Sequence, residues 1–141
     1  MLSEPRYYAQ IYARPFYALS DPNMTPTLDT KDPRESIVLT IDATSNLADA
    51  ETLTSASPVT VTLQQGVLPD TPVVLSGAAI NAVTLSVVVD GSPIIVAVGK
   101  AVQVVATAGS NGATYLLALT CPTSNPDKTL ELKVLIPVSD I

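Results

Sequence analysis

From Ile37 onward the chain repeats one pattern, with apolar residues at every second position. Ile37, Leu39 and Ile41 alternate with Val38, Thr40 and Asp42, and Val59, Val61 and Leu63 alternate with Thr60 and Thr62. Tyr115, Leu117 and Leu119 alternate with Leu116, Ala118 and Thr120; Leu130, Leu132, Val134 and Ile136 alternate with Glu131, Lys133 and Leu135. Successive side chains of a strand point to opposite faces, so a period of two predicts half-buried strands. Apolar runs at residues 73–75, 82–89, 94–98 and 102–108 add four more. Asp90-Gly91 between two of these runs predicts a tight hairpin, because such turns need positive φ and glycine supplies it. Pro93 cannot donate to a ladder and therefore favours an edge position for the strand after the hairpin. Seven or eight antiparallel strands, with turn signals about every 8–12 residues, predict an all-β sandwich of about 100 residues. A jelly roll or small barrel would carry the same signature.

The pattern is absent from the first 32 residues. Pro5, Pro15, Pro22 and Pro26 interrupt this segment and Pro33 ends it. Proline disfavours helix at its own position and at the one before, so the segment is expected to be extended. At most a turn or two of helix fits between Pro5 and Pro15, with Tyr8, Ile11 and Tyr12 on one face. Residues 20–31 are polar and turn-rich, as in a tether. The expected organisation is an arm and tether over residues 1–32 and a sandwich domain over residues 33–141.

The aromatic residues follow the same division. Five of the six lie in the arm, as Tyr7, Tyr8, Tyr12, Phe16 and Tyr17, and only Tyr115 lies beyond it. A core ordinarily takes its aromatics for itself, since each can bury ~150–250 Å². Three fates are open to the displaced set. The residues can fold back into their own sandwich, remain disordered, or dock on a neighbouring subunit. Docking is favoured, because aromatics and arginine are enriched at interfaces and aromatics are depleted in disordered segments. The expected partner interface is Arg6, Tyr7, Tyr8, Ile11, Tyr12, Arg14, Phe16 and Tyr17.

Composition narrows the chemistry. Hydrophobic residues make up 47% of the chain and charged residues 14%, the net charge is −6, and there is no histidine. An acidic chain whose seven basic residues form no cluster is a poor ligand for phosphate backbones, so no nucleic-acid partner is expected. No apolar run reaches the ~18–20 residues of a spanning helix, and Glu4 and Pro5 stand where a signal peptide has a basic and then an apolar stretch. No membrane partner is expected. The single cysteine, Cys121, cannot form an intrachain disulfide and has no adjacent base, so it reads as a small buried hydrophobe. Asp42, Asp49 and Glu51 sit near one predicted loop, where oxygen ligands could approach a calcium ion. Their spacing matches no calcium loop, and solvated turn residues are the favoured reading. No catalytic residue, cofactor, metal or small-molecule substrate is therefore expected.

Tyr115 follows Gly112 at the start of the penultimate strand. In immunoglobulin-like sandwiches a tyrosine corner occupies that place, its hydroxyl bonding nearby backbone. An ordinary core-edge aromatic is the alternative. The run Lys31-Asp-Pro-Arg-Glu-Ser-Ile-Val-Leu-Thr-Ile-Asp42 resembles the opening of the phage fiber-tail adaptors, a family of small immunoglobulin-like virion proteins. The Thr-rich stretch at residues 49–57 and the strand opening at Gly112 and Tyr115 are also similar, and the resemblance extends from about Lys31 to the end. It implies a non-enzymatic structural protein of a tailed bacteriophage, located in the virion and assembled in the host cytoplasm. Its partners would be other virion structural proteins and copies of itself, on a tail or neck assembly that supports fibers. Alternatives are a capsid decoration protein that grips the head shell through the arm, and a stand-alone carbohydrate-binding module.

Overall fold

A computed structural model of the chain describes residues 16–19, 25–56, 59–66, 71–89 and 91–140. Nine strands lie among them: β1 (Phe16–Leu19), β2 (Ile37–Asp42), β3 (Val59–Gln65), β4 (Val73–Ile80), β5 (Leu85–Val89), β6 (Ser92–Val96), β7 (Ala101–Ala108), β8 (Thr114–Pro122) and β9 (Thr129–Pro137). They form a four-stranded sheet in the order β1-β2-β7-β4, a three-stranded sheet in the order β3-β8-β9, and the hairpin β5-β6.

The period-two pattern decides which faces meet. Ile37, Leu39 and Ile41 of β2 and Val102, Val104 and Ala106 of β7 are buried together with Tyr115, Leu117, Leu119 and Cys121 of β8 and Leu132, Val134 and Ile136 of β9. One core thus draws on one face of each larger sheet, the arrangement of a β-sandwich. Burying each such aliphatic side chain contributes about 1.5–3 kcal/mol. The hairpin has its own small cluster. Val87 and Val96, flanked by Leu85 and Ile94, pack with Leu19 and Ala101. Leu19 and Ala101 both pair with Asp42 in register, so the hairpin covers one end of the outer face of the four-stranded sheet.

Several details depart from the sequence pattern. The apolar run at residues 73–75 opens an eight-residue strand, β4, whose pairing with β7 is irregular between Ser76 and Ala79, where Gly77 takes φ +66°. The run at residues 82–89 is strand only from Leu85, because Asn81 is held in a turn by donating its amide to the Val83 and Ala97 carbonyls. Val89 pairs with Ser92 across Asp90-Gly91, where Gly91 adopts φ +78°. Pro93 lies opposite Val88 on the exposed side of this two-stranded sheet.

The largest difference lies ahead of Ile37. Phe16–Leu19, within the expected arm, is a strand that runs parallel to β2, so the pairing is not antiparallel throughout. Ala18 is fully buried in the main core. Part of the expected tether is also paired. Thr27 forms a parallel bridge to Leu135 of β9, and Lys31 one to Val138 just beyond its end.

Candidate assembly interface

The segment from Pro26 to Lys31 straps the free edge of the three-stranded sheet. Leu28 N–H donates to the Leu135 carbonyl (2.8 Å), Leu135 N–H to the Pro26 carbonyl (2.8 Å), Lys31 N–H to the Pro137 carbonyl (2.9 Å) and Ser139 N–H to the Lys31 carbonyl (2.9 Å). Proline is tolerated here because its ring nitrogen has no hydrogen to place and its carbonyl still accepts. Leu28, buried in the main core, fixes the register of the strap.

At the end of the strap, the sequence Lys31-Asp-Pro-Arg-Glu35 turns the chain into β2. Lys31 is fully buried. Its ammonium donates to the Asp32 carbonyl (2.9 Å) and the Ala108 carbonyl (2.6 Å). Burial holds the Lys31 pKa below the ordinary lysine value, an effect opposed by the nearby charges of Glu35 and Asp32. Ala108 ends β7 in the left-handed region, at φ +63°, which costs energy for a residue other than glycine. The lysine thus ties the strap to the last turn of the opposite sheet. Asp32 accepts from Arg34 N–H and Nε at 2.8 Å each, while Asp32 N–H donates to Glu35 Oε1 at 2.8 Å. These reciprocal bonds fix the corner. The Arg34–Asp32 ion pair adds little, because the Arg34 side chain is 76% exposed.

A second lysine organises the loop between β2 and β3. Lys100 follows β6 in a turn whose Gly99 has φ +81°, and a side-chain carbon at Gly99 would lie 2.8 Å from Thr52 Cβ. The buried Lys100 ammonium donates to the carbonyls of Ala48 (2.7 Å), Asp49 (3.0 Å) and Glu51. All three of its hydrogens are directed at backbone oxygens. Nearby, Lys128 Nζ donates to Glu51 Oε1 and to the Asn46 carbonyl, each at 2.6 Å. The Lys128 hydrogen bond, followed by that from Ala48 N–H, holds the Glu51 pKa below its usual value of 4.5. A depressed carboxylate contributes stability above its unfolded pKa and loses it as pH falls through the folded value. Wild-type protein is therefore expected to lose urea resistance below pH 4.5 more steeply than Glu51→Gln. Parallel curves for the two proteins would show that the pair has no part in acid stability.

Tyr115 closes the opposite end. Its ring is fully buried, and its hydroxyl accepts from Ser110 N–H (2.9 Å) and donates to the Thr71 carbonyl (3.2 Å). The bond to backbone five residues upstream pins the turn between β7 and β8.

The residues expected at a partner interface precede β1 in the sequence or begin it. Arg6, Tyr7, Tyr8, Ile11, Tyr12 and Arg14 lie outside the described residues. The backbones of Phe16 and Tyr17 belong to β1 and pair with Leu39 and Thr40. The three candidate carboxylates near the first loop are not gathered at one point. Asp42 Oδ1 accepts from Thr44 N–H (2.9 Å) and Thr44 Oγ1 (2.5 Å), and Glu51 faces Lys128. Among the described residues no three His, Cys, Asp or Glu side chains converge as metal ligands would. Cys121 is buried in the core, which pushes its thiol pKa up to about 11 and removes its reactivity.

Sequence reasoning missed the structural role of Lys31, Lys100 and Lys128. A usable signal was present, since each lies within two residues of a turn residue (Pro33, Gly99 or Asp127) in a chain with only seven basic residues. No family model matches the chain, and no curated protein or solved structure was found to be similar to it.

Proposed function

We propose that this chain is a non-enzymatic structural protein of a tailed-phage virion. In this reading an immunoglobulin-like sandwich is attached to a larger assembly by the aromatic segment ahead of β1. The observation that carries the proposal is the anchoring of Phe16–Leu19 on β2. It places the sequence bearing Arg6, Tyr7, Tyr8, Tyr12 and Arg14 directly ahead of a strand in the four-stranded sheet. A partner held by that sequence is thereby connected to the whole sandwich through backbone hydrogen bonds, with no long tether between them.

The strand order supports the immunoglobulin-like form. β2-β7-β4 facing β3-β8-β9 follows the B-E-D and C-F-G order of a seven-stranded constant-type domain, with β5-β6 added between the fourth and fifth equivalent strands, whereas β1 takes the place of strand A but runs parallel to β2 instead of antiparallel. The strap along β9 and the Tyr115 hydroxyl bond to upstream backbone fit the same scheme. The K-D-P run, on which the resemblance to fiber-tail adaptors rests, forms the corner that joins the strap to β2. The position in the virion is then a tail or neck ring supporting fibers. A glycan-binding platform on the sandwich beyond β1 fits less well, since carbohydrate recognition needs an exposed aromatic face and the one aromatic in that part of the sequence, Tyr115, has a fully buried ring.

The test is incorporation into phage particles of a chain in which Tyr7, Tyr8 and Tyr12 are replaced by alanine. Interface aromatics of this kind cost about 2 kcal/mol or more each when truncated. Incorporation is expected to fall by at least roughly a hundredfold, with the melting temperature unchanged. Normal incorporation of the variant would refute attachment through the arm. Labelling that places the wild-type protein on the head lattice would refute the tail assignment.

A further inference from the structure

Among the described residues the two larger sheets end in four edge strands, β1 and β4 in one and β3 and β9 in the other. Open edges invite pairing with another chain, and monomeric proteins blunt them. Three of the four are blunted here. β1 is only four residues long, β4 is irregular at Gly77, and β9 is covered by the strap from Pro26 to Lys31. β3 is the least protected of the four among the described residues, since its one irregularity falls at its end, between Leu63 and Gln65. It spans seven residues, Val59–Gln65, contains no proline, and among the described residues pairs only with β8. No charged residue occurs between Glu51 and Asp70.

We propose that β3 pairs with β3 of a second copy, antiparallel about a two-fold axis, joining the two three-stranded sheets into one. The argument for a second copy is electrostatic and geometric. Each chain has a net charge of −6, so two copies meet most readily along a stretch without charge. An antiparallel pair of identical strands about a two-fold presents the same donors and acceptors from both sides. The ladder between β3 and β8 is regular from Val59 to Leu63 and shifts between Leu63 and Gln65. Centring the two-fold on Val61 uses only the regular part. Val59 then faces Leu63 of the other copy, and Thr60 faces Thr62. Val61 pairs with the fully buried Leu117 on the core side, whereas Thr60 and Thr62 are exposed on the opposite face. Cross-strand Thr–Thr pairs are among the favourable ones.

This proposal is independent of whatever the aromatic arm holds. Its test is the concentration dependence of the sedimentation coefficient of the full chain, compared with two double variants. T60K/T62K sets lysine against lysine at both cross-copy positions and is expected to weaken dimerisation at least roughly tenfold. T60K/T62E sets lysine against glutamate and is expected to dimerise as the wild type does. Both variants change exposed side chains, and circular dichroism checks that each is folded. A wild-type chain that stays monomeric up to millimolar concentration overturns the proposal. So does a dimer insensitive to T60K/T62K, which would place the contact elsewhere, or a T60K/T62E variant as weak as the double lysine. Loss of particle incorporation on removing the arm tyrosines, with dimerisation intact, would leave this proposal standing by itself.

Discussion

A chain shortened to begin at Phe16 is expected to fold with the stability of the full chain, whereas one shortened to begin at Asp32 is expected not to fold. The first truncation leaves every described strand in place. Its urea midpoint should correspond to a stability within about 0.5 kcal/mol of the full chain, the range for changes outside the core. The second removes β1, the strap and Lys31 together. Ala18 and Leu28 leave the main core, and Leu19 leaves the hairpin cluster. Loss of a buried leucine alone costs about 2–5 kcal/mol. The cut also strips the four backbone hydrogen bonds between the strap and β9 and its C-terminal extension, and exposes the edges of β2 and β9. Typical domains have only about 5–15 kcal/mol in total. Urea melts followed by circular dichroism distinguish the two chains. A cooperative transition of near-native midpoint in the shorter chain would mean that the strap is an accessory to the sandwich and not part of it.

Replacing Lys100 with methionine is expected to destabilise the protein by about 1–3 kcal/mol, the range for leaving buried hydrogen-bonding groups without a partner. Methionine fills nearly the same volume, so the cost falls on the carbonyls of Ala48, Asp49 and Glu51 that lose their donor. Lys100→Arg should not rescue, because a planar guanidinium fork cannot replace three hydrogens converging from one ammonium. Glu51 loses its backbone anchor in either variant, so its ion pair with Lys128 should weaken as well. The check is the denaturant midpoint of each variant at neutral pH. A loss under 1 kcal/mol for Lys100→Met would show that water replaces the ammonium at little cost and that the loop holds its own shape.

Most of the sandwich was legible because its signals are local. The alternation from Ile37 to Ile41 and from Tyr115 to Leu119 identifies core faces without knowledge of any partner strand. Asp90-Gly91 identifies the hairpin for the same reason, since the turn chemistry resides in two adjacent residues. β1 was not legible. Four residues between Pro15 and Ser20 are too few for a periodic signal, and their pairing depends on the edge of β2. The strap was read as a tether because its composition is that of a turn-rich linker. Its partner, β9, lies about a hundred residues away and leaves no trace in the local pattern. Of the candidate interface, the sequence supplied the concentration of aromatics and arginine ahead of β1, and the structure supplied the strand that follows it.

Taken alone, the sequence determined the all-β class, the inward-facing residues of the central strands and the buried position of Tyr115. These follow from side-chain alternation and turn chemistry, which act over a few neighbouring residues. Only the tertiary structure decided that the chain ahead of Ile37 is partly built into both sheets. Only it decided that Lys31 and Lys100 are buried donors to backbone carbonyls and that β3 is an edge strand that pairs only with β8 among the described residues. Each of those outcomes depends on which backbone groups remain unpaired after the sheets have formed, a property of the assembled fold and not of any local segment.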